Sequence, residues 1–166
     1  MHKFLSFFIF LTSLYATEPT LAKLVNIDSN NVQKYSIGNY TFYCRPYGVL
    51  TLDKLYDVSG LKSKCKEKIK VYYSQHPQDY YFAQNLFKRG QWYHIEFKKN
   101  TCVVYAQGQY TYSELLLEKG LAVRKPSFTD REFKASFYKA QNIAKDTNKG
   151  IWKDDITQNC IAEIYK

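Results

Sequence analysis

Beyond residue 16 the sequence has no apolar run approaching the ~20 residues of a helical membrane span, so a chain that crosses a bilayer by such helices is excluded. No two of its four cysteines stand close together, which rules out zinc sites built on paired thiolates such as C-x-x-C. G-x-S-x-G, H-E-x-x-H and P-loop patterns are absent, and with them the usual signatures of α/β-hydrolases, zinc proteases and P-loop nucleotidases. There is no low-complexity tract and no internal repeat, so neither a disordered chain nor a solenoid fits. His76 and His94 share no spacing logic and read as surface or partly packed residues rather than a metal pair.

What remains is a 166-residue chain with enough apolar and aromatic residues for one domain with a core. Residues 1–16 stand apart from it. Lys3 supplies a positive start, residues 4–14 are apolar with small hydroxyl interruptions, and Ala16 offers a small residue for cleavage. This reads as a secretory signal peptide, with an uncleaved N-terminal anchor as the alternative. The expectation is an exported protein, periplasmic or secreted. Residues 17–160 form the domain and 161–166 a short tail.

The formal net charge is +9, of which the leader contributes only Lys3. Lysines cluster at Lys62, Lys64, Lys66, Lys68 and Lys70. Such a balance suits a polyanion, nucleic acid or an anionic surface, as well as a solvated helix face. In an exported chain, Cys44, Cys65, Cys102 and Cys160 suggest two disulfides, with buried free thiols as the alternative. Three connectivities are open. Cys44 and Cys102 both fall in expected strands, which favours Cys44–Cys102 with Cys65–Cys160.

Strands are expected at 21–27, 32–36 and 40–47, joined by turns at 28–31 and 38–39. Over 50–68 the period changes: Leu55, Val58, Leu61 and Cys65 fall on one face of a helix. A strand is expected at 69–73, a short helix over 79–88, and strands at 92–97 and 101–106. Ser113 leads a helix that Gly120 stops. Thr129-Asp-Arg-Glu132 has the form of a capping box, and Phe133, Phe137, Ala140 and Ala144 then mark one buried helical face. Ile151-Trp152 pins the tail. This order suggests an α+β domain: a small OB-fold-type β-barrel of about five to six strands with three packed helices.

Tyr105-Ala-Gln-Gly108, Ser113-Glu-Leu-Leu-Leu-Glu-Lys-Gly-Leu-Ala122, Ala140-Gln-Asn-Ile-Ala144 and Gly150-Ile-Trp152 point further. In order and spacing they resemble the C-terminal half of the staphylococcal nuclease (thermonuclease-like) family. The likeness is firm over 101–152, looser over 21–73, and fails over about 74–90, which reads as an insertion. The resemblance implies an OB-type barrel with three helices and a calcium-dependent endonuclease acting on DNA and RNA. That family holds calcium with carboxylates from a "D-G-D-T" turn and an "R-L-x-x-I-D-x-P-E" stretch. The Glu of the stretch serves as base, and two arginines bind the phosphate.

Carried over position by position, the family's site is altered. Asp28-Ser-Asn-Asn31 matches the turn, so Asn30 stands for a ligand Asp and Asp28 for the earlier one. Arg45-Pro-Tyr-Gly-Val-Leu-Thr-Leu-Asp53 matches the stretch without a gap. Arg45 falls on the phosphate-binding Arg, Leu50 on the metal-binding Asp and Asp53 on the base. Lys99 is the nearest counterpart of the second Arg and lacks its bidentate fork. Phe128 lies where family aromatics hold the base.

Leu50 offers a calcium ion nothing, and Asn30 only a neutral carbonyl, whereas calcium wants several hard oxygen ligands. The expectation is therefore a non-catalytic binding module with no cofactor. Its partner would be single-stranded nucleic acid, gripped by Arg45, Lys99 and Phe128, or an envelope protein. Tyrosines and tryptophan at 72, 73, 80, 81, 92, 93, 110 and 112 offer stacking rings beside basic groups. The alternative is a secreted nuclease using Ca2+, Arg45, Lys99 and Asp53, with Asp28 and Asn30 as weak metal candidates.

Overall fold

A computed structural model describes residues 19–57, 63–153 and 160–161. The expected leader, Lys62 and most of the tail lie outside these residues. Among the described residues no helix is long and apolar enough to cross a membrane.

The chain begins with strands β1 (Thr20–Ile27), β2 (Gln33–Ile37) and β3 (Tyr40–Cys44). Turns at 28–32 and 38–39 join them into an antiparallel meander. Ala22 and Leu24 alternate inward along β1, as a half-buried strand requires, and a register shift between Leu24 and Asn26 turns Ile27 inward in place of Asn26. Strands β4 (Val49–Thr51), β5 (Trp92–Lys98), β6 (Thr101–Gln107), β7 (Tyr110–Thr111) and β8 (Ala122–Arg124) complete the β structure of the described residues. Six strands form one antiparallel sheet in the order β3-β2-β1-β5-β6-β7, and β4 pairs separately with β8. The six-stranded ladder does not close on itself. Its flanks nonetheless meet just past β3, where Pro46 bridges Cys102. There the Cys102 amide donates to the Arg45 carbonyl at 2.8 Å, and the Tyr47 amide donates to the Cys102 carbonyl at 3.1 Å.

Six α-helices are described: α1 (Leu52–Asp57), α2 (Ser63–Gln75), α3 (Pro77–Tyr80), α4 (Phe82–Leu86), α5 (Tyr112–Glu118) and α6 (Arg131–Asp146). Where three packed helices were expected, six are described, two of them, α3 and α4, within the insertion. Of the helix expected over 50–68, the described residues form the end of β4, α1 and the start of α2, while Val58 and Leu61 lie outside the described residues. The strand expected at 69–73 is helical. Cys65, Ile69 and Tyr72 follow at i, i+4 and i+7, all buried, so the helical period runs on through the β-branched residues. Over 79–88 two short helices replace one.

The capping also differs from expectation. Asp130, not Thr129, caps α6, and its carboxylate accepts from the Glu132 amide. The capping box sits instead on α5, where Thr111 and Glu114 satisfy each other's backbone amides. The buried face of α6 is the expected one: Phe133, Phe137, Ala140 and Ala144. Ile151 is buried and its amide donates to the Gly120 carbonyl. Gly120 has φ +68°, and a Cβ there would stand 2.2 Å from the Lys149 carbonyl oxygen, so this crossing requires glycine.

Both expected disulfides are present. Cys44–Cys102 joins the end of β3 to the start of β6, and Cys65–Cys160 ties α2 to the C-terminal stretch.

Candidate functional site

The residues singled out by sequence separate into two groups. The first gathers on the β1–β2 turn. Asn30 is fully buried there. Its amide donates to the backbone carbonyls of Asp79 at 2.8 Å and Tyr80 at 3.2 Å, and its Oδ1 accepts from the Ala83 amide at 2.8 Å. Its own backbone carbonyl accepts from the Tyr112 hydroxyl at 2.9 Å and from Gln33 Nε2 at 3.2 Å. Asp53, in the first turn of α1, accepts from the Tyr73 hydroxyl at 2.6 Å through one oxygen and from the Asn31 amide at 3.2 Å through the other. Burial, then the Asp53 charge and hydrogen bond, pushes the Tyr73 hydroxyl far above the usual tyrosine range. Tyr112, sunk in the core, is shifted the same way by burial first and by Asp53 second. These tyrosines stay protonated donors beside the carboxylate.

The fit to a calcium ion can be judged from this donor set. Both Asp53 oxygens and all the polar atoms of the Asn30 side chain are already engaged within the chain. Leu50 pairs with Val123 in the small sheet and has no donor to offer. Asp28 is exposed and accepts from Asn26 Nδ2. Among the described residues no three His, Cys, Asp or Glu side chains come together as a metal would require. The residues present do not fit calcium in the manner of the resembled family.

The second group is open. Arg45 follows β3 and Lys99 sits at the tip of the β5–β6 hairpin, with φ +56°. Both are exposed, and both line one cavity of about 350 Å³. Its walls include Phe42, Tyr43 and Phe97. Phe42 and Phe97 lie 4.9 Å apart, centroid to centroid, and Tyr40 stacks on Phe42 at 6.4 Å. Tyr40, Tyr43 and Phe97 expose 71%, 57% and 48% of their surface, so rings remain available to a ligand. Among the described residues neither Arg45 nor Lys99 has an ion-pair partner. The disulfide and the bridge beside Arg45 hold it against the strand that carries Cys102, three residues beyond Lys99.

A neighbouring cavity of about 600 Å³ shares Lys99 and is lined also by Tyr47, Lys98, Lys125, Phe128 and Asp130. Lys98 here is committed to Glu96 at 3.4 Å and Glu132 at 3.6 Å. Burial would lower its pKa, but the Glu96 hydrogen bond and the acids around it win and raise it. Lys125 is held below the usual lysine range by burial and then by the Lys54 charge. The Tyr47 hydroxyl donates to Asp130 at 2.7 Å. Burial, that hydrogen bond and nearby acid charge push Tyr47 up to about 12. Phe128 is placed differently from expectation. It is 7% exposed, stacked on Phe137 at 5.1 Å and edge-on to Tyr47 at 5.3 Å. A Cβ on Gly48 would lie 2.4 Å from its ring. Phe128 therefore acts as a core ring whose edge reaches a cavity, not as a free stacking surface.

Arg45 and Lys99 are thus brought together, while Asp53 lines neither cavity. Of the rings expected to stack, Tyr72 and Tyr112 are buried and Tyr73 is bound to Asp53. Tyr80, Tyr81, Trp92 and Tyr110 are exposed and line neither cavity. The rings beside Arg45 and Lys99 were missed. Their signal is local: Tyr43 precedes Arg45 by two residues and Phe97 precedes Lys99 by two, the spacing that puts neighbours on one side of a strand. His76 packs its ring on Tyr72, and His94 lies exposed on β5.

No protein-family profile matches the chain, and no curated protein matches it.

Proposed function

We propose that the chain is an exported, non-catalytic binding module for single-stranded nucleic acid, built on an OB-type, thermonuclease-like barrel. The observation that carries the reading is the shared cavity of Arg45 and Lys99, walled by Phe42, Tyr43 and Phe97. Cations with no ion-pair partner among the described residues meet the phosphates, and exposed rings meet the bases, which is how sequence-tolerant single-strand binding works. The OB-type assignment draws support from the antiparallel order of the six-stranded sheet and from the Pro46–Cys102 bridge that brings its flanks together. Two disulfides are compatible with export. Recovery of a chain starting at Thr17 from the exported fraction would support cleavage after Ala16.

The test uses the purified protein with a fluorescent single-stranded DNA or RNA of about 12 nucleotides, within the usual site sizes. Saturable binding is expected without cleavage, with or without calcium. Arg45→Ala and Lys99→Ala each weaken it and reduce its salt dependence. No binding at low salt would sink the reading. Cleavage abolished by Arg45→Ala and Asp53→Asn would establish the alternative, a calcium-dependent endonuclease. A protein partner in the envelope is the second reading. Leu21, Val25 and Trp92, exposed on adjacent strands β1 and β5, favour it.

A further inference from the structure

Residues 74–90 have no counterpart in the resembled family and no role in the binding cavity. They carry α3 and α4, four and five residues long, too short to persist without outside partners. Their junction leaves groups that the short helices do not fully satisfy: the carbonyl of Asp79, which also accepts from the Tyr81 amide, the carbonyl of Tyr80 at the end of α3, and an amide in the first turn of α4. Asn30 supplies partners for all three. Its amide hydrogens go to the carbonyls of Asp79 and Tyr80, and its Oδ1 takes the amide of Ala83. Only a side chain with two donors and an acceptor on one planar group can do this. An aspartate would turn a second acceptor toward two carbonyls. The substitution that spoils a metal ligand is therefore the one that this junction requires.

The surrounding contacts have the same direction. Tyr73, near the end of α2, donates to Asp53, and Tyr72 donates to Asp79 of α3 at 2.5 Å. Phe82 lies parallel to Tyr112 at 6.3 Å, and Phe87 meets the same ring at 4.9 Å. We propose that the 77–83 segment is an internal occupant. It fills, with the chain's own hydrogen-bonding groups, the place where the resembled family keeps open oxygen donors, and Asn30 is the keystone that holds it there. The former metal position has become a structural joint, and returning a carboxylate at position 50 does not reopen it. This holds whether or not the Arg45–Lys99 cavity binds nucleic acid.

Three measurements test it. Hydrogen exchange on the wild-type protein should show the Ala83 amide protected like the core amide of Leu24; exchange at the rate of an exposed loop would overturn the proposal. Terbium luminescence sensitised by the nearby tyrosines should give no saturable, calcium-displaceable signal in wild type or Leu50→Asp. Such a signal, lost in Asp53→Asn, would overturn it. Asn30→Asp should speed proteolytic cleavage within 77–90 by about tenfold, as expected when buried partners are lost and a segment opens. Asp28→Asn should leave cleavage unchanged. An Asn30→Asp variant as resistant as wild type would count against the keystone role. If that variant does not fold, the exchange and terbium results decide.

Discussion

The joint around Asn30 and the cavity around Arg45 are built from similar materials and differ in whether their polar groups are used up. At the joint, the Asn30 amide, the Asp53 and Asp79 carboxylates and three tyrosine hydroxyls bond to one another and to nearby backbone. Every polar atom of the Asn30 side chain and both Asp53 oxygens already have a partner within the chain, and the Tyr73 and Tyr112 hydroxyls are shifted upward and remain donors. At the cavity, Arg45 and Lys99 have no ion-pair partner among the described residues, and Tyr43 and Phe97 keep about half of their surface open. The difference teaches that polar residues near a binding position are informative only once their partners are counted. Asp53 looks more functional than Lys99 in a list of residues, and less so in three dimensions.

Experiments can pull the two regions apart. The largest effect should come from the disulfides, since each closes a long loop: the separations are 58 and 95 residues. Removing either should cost about 4 kcal/mol by loop entropy, read as a shift in the urea midpoint. Binding distinguishes them. Loss of Cys44–Cys102 frees the segment that carries Arg45 and should weaken nucleic-acid binding. Loss of Cys65–Cys160 loosens α2 and should leave binding at low temperature unchanged. Equal effects on binding would erase the distinction between the regions.

Next comes Asn30→Ala, which strands buried backbone groups and should lower stability by about 3 kcal/mol. Affinity measured well below the unfolding midpoint should not change. Arg45→Ala should do the reverse, with unfolding unmoved and affinity lower by about tenfold. Its log–log salt slope should fall by about 0.7, the loss of one phosphate contact on a single strand.

The smallest effect is in pH. The Tyr47 hydroxyl is raised in the folded protein to about 12. Its contribution to stability is therefore full below the unfolded tyrosine value of about 10 and is lost as pH climbs through the folded one. Asp130 is held below the usual carboxylate range: burial acts to raise it, but the Tyr47 hydrogen bond, backbone amides and Lys98 outweigh that. Its contribution is present above about pH 4 and lost as pH falls through the depressed folded value. Tyr47→Phe should flatten both limbs of the stability–pH curve, checked by thermal unfolding from acid to alkali. An unchanged curve would mean the pair contributes nothing.

The β strands were legible because strand-forming residues run between clear turn signals: 21–27, 32–36, 92–97 and 101–106 fall within one or two residues of β1, β2, β5 and β6. The α6 face was legible from its helical period. The end of α2 was not. Val71-Tyr72-Tyr73 has strand-forming residues, and only the longer spacing from Cys65 through Ile69 to Tyr72 decides for helix. Thr129 lost the cap of α6 to Asp130, one residue on, because both are good caps and the hydrophobic contacts of Phe133 and Phe137 set the register. In the site, Arg45 and Lys99 were found as a pair through the resemblance. The role of Asn30 could not be read, because its partners are 49 to 53 residues away and are backbone groups, which carry no sequence signature.

The two disulfides interleave: Cys44 pairs across Cys65, and Cys65 pairs across Cys102. Every peptide bond between residues 44 and 160 therefore lies inside at least one covalent loop. A single cut anywhere in that stretch, the exposed tyrosines of the 77–83 segment included, leaves the fragments in one molecule. Such a protein can be nicked in a protease-rich environment and still run as one piece until its disulfides are reduced.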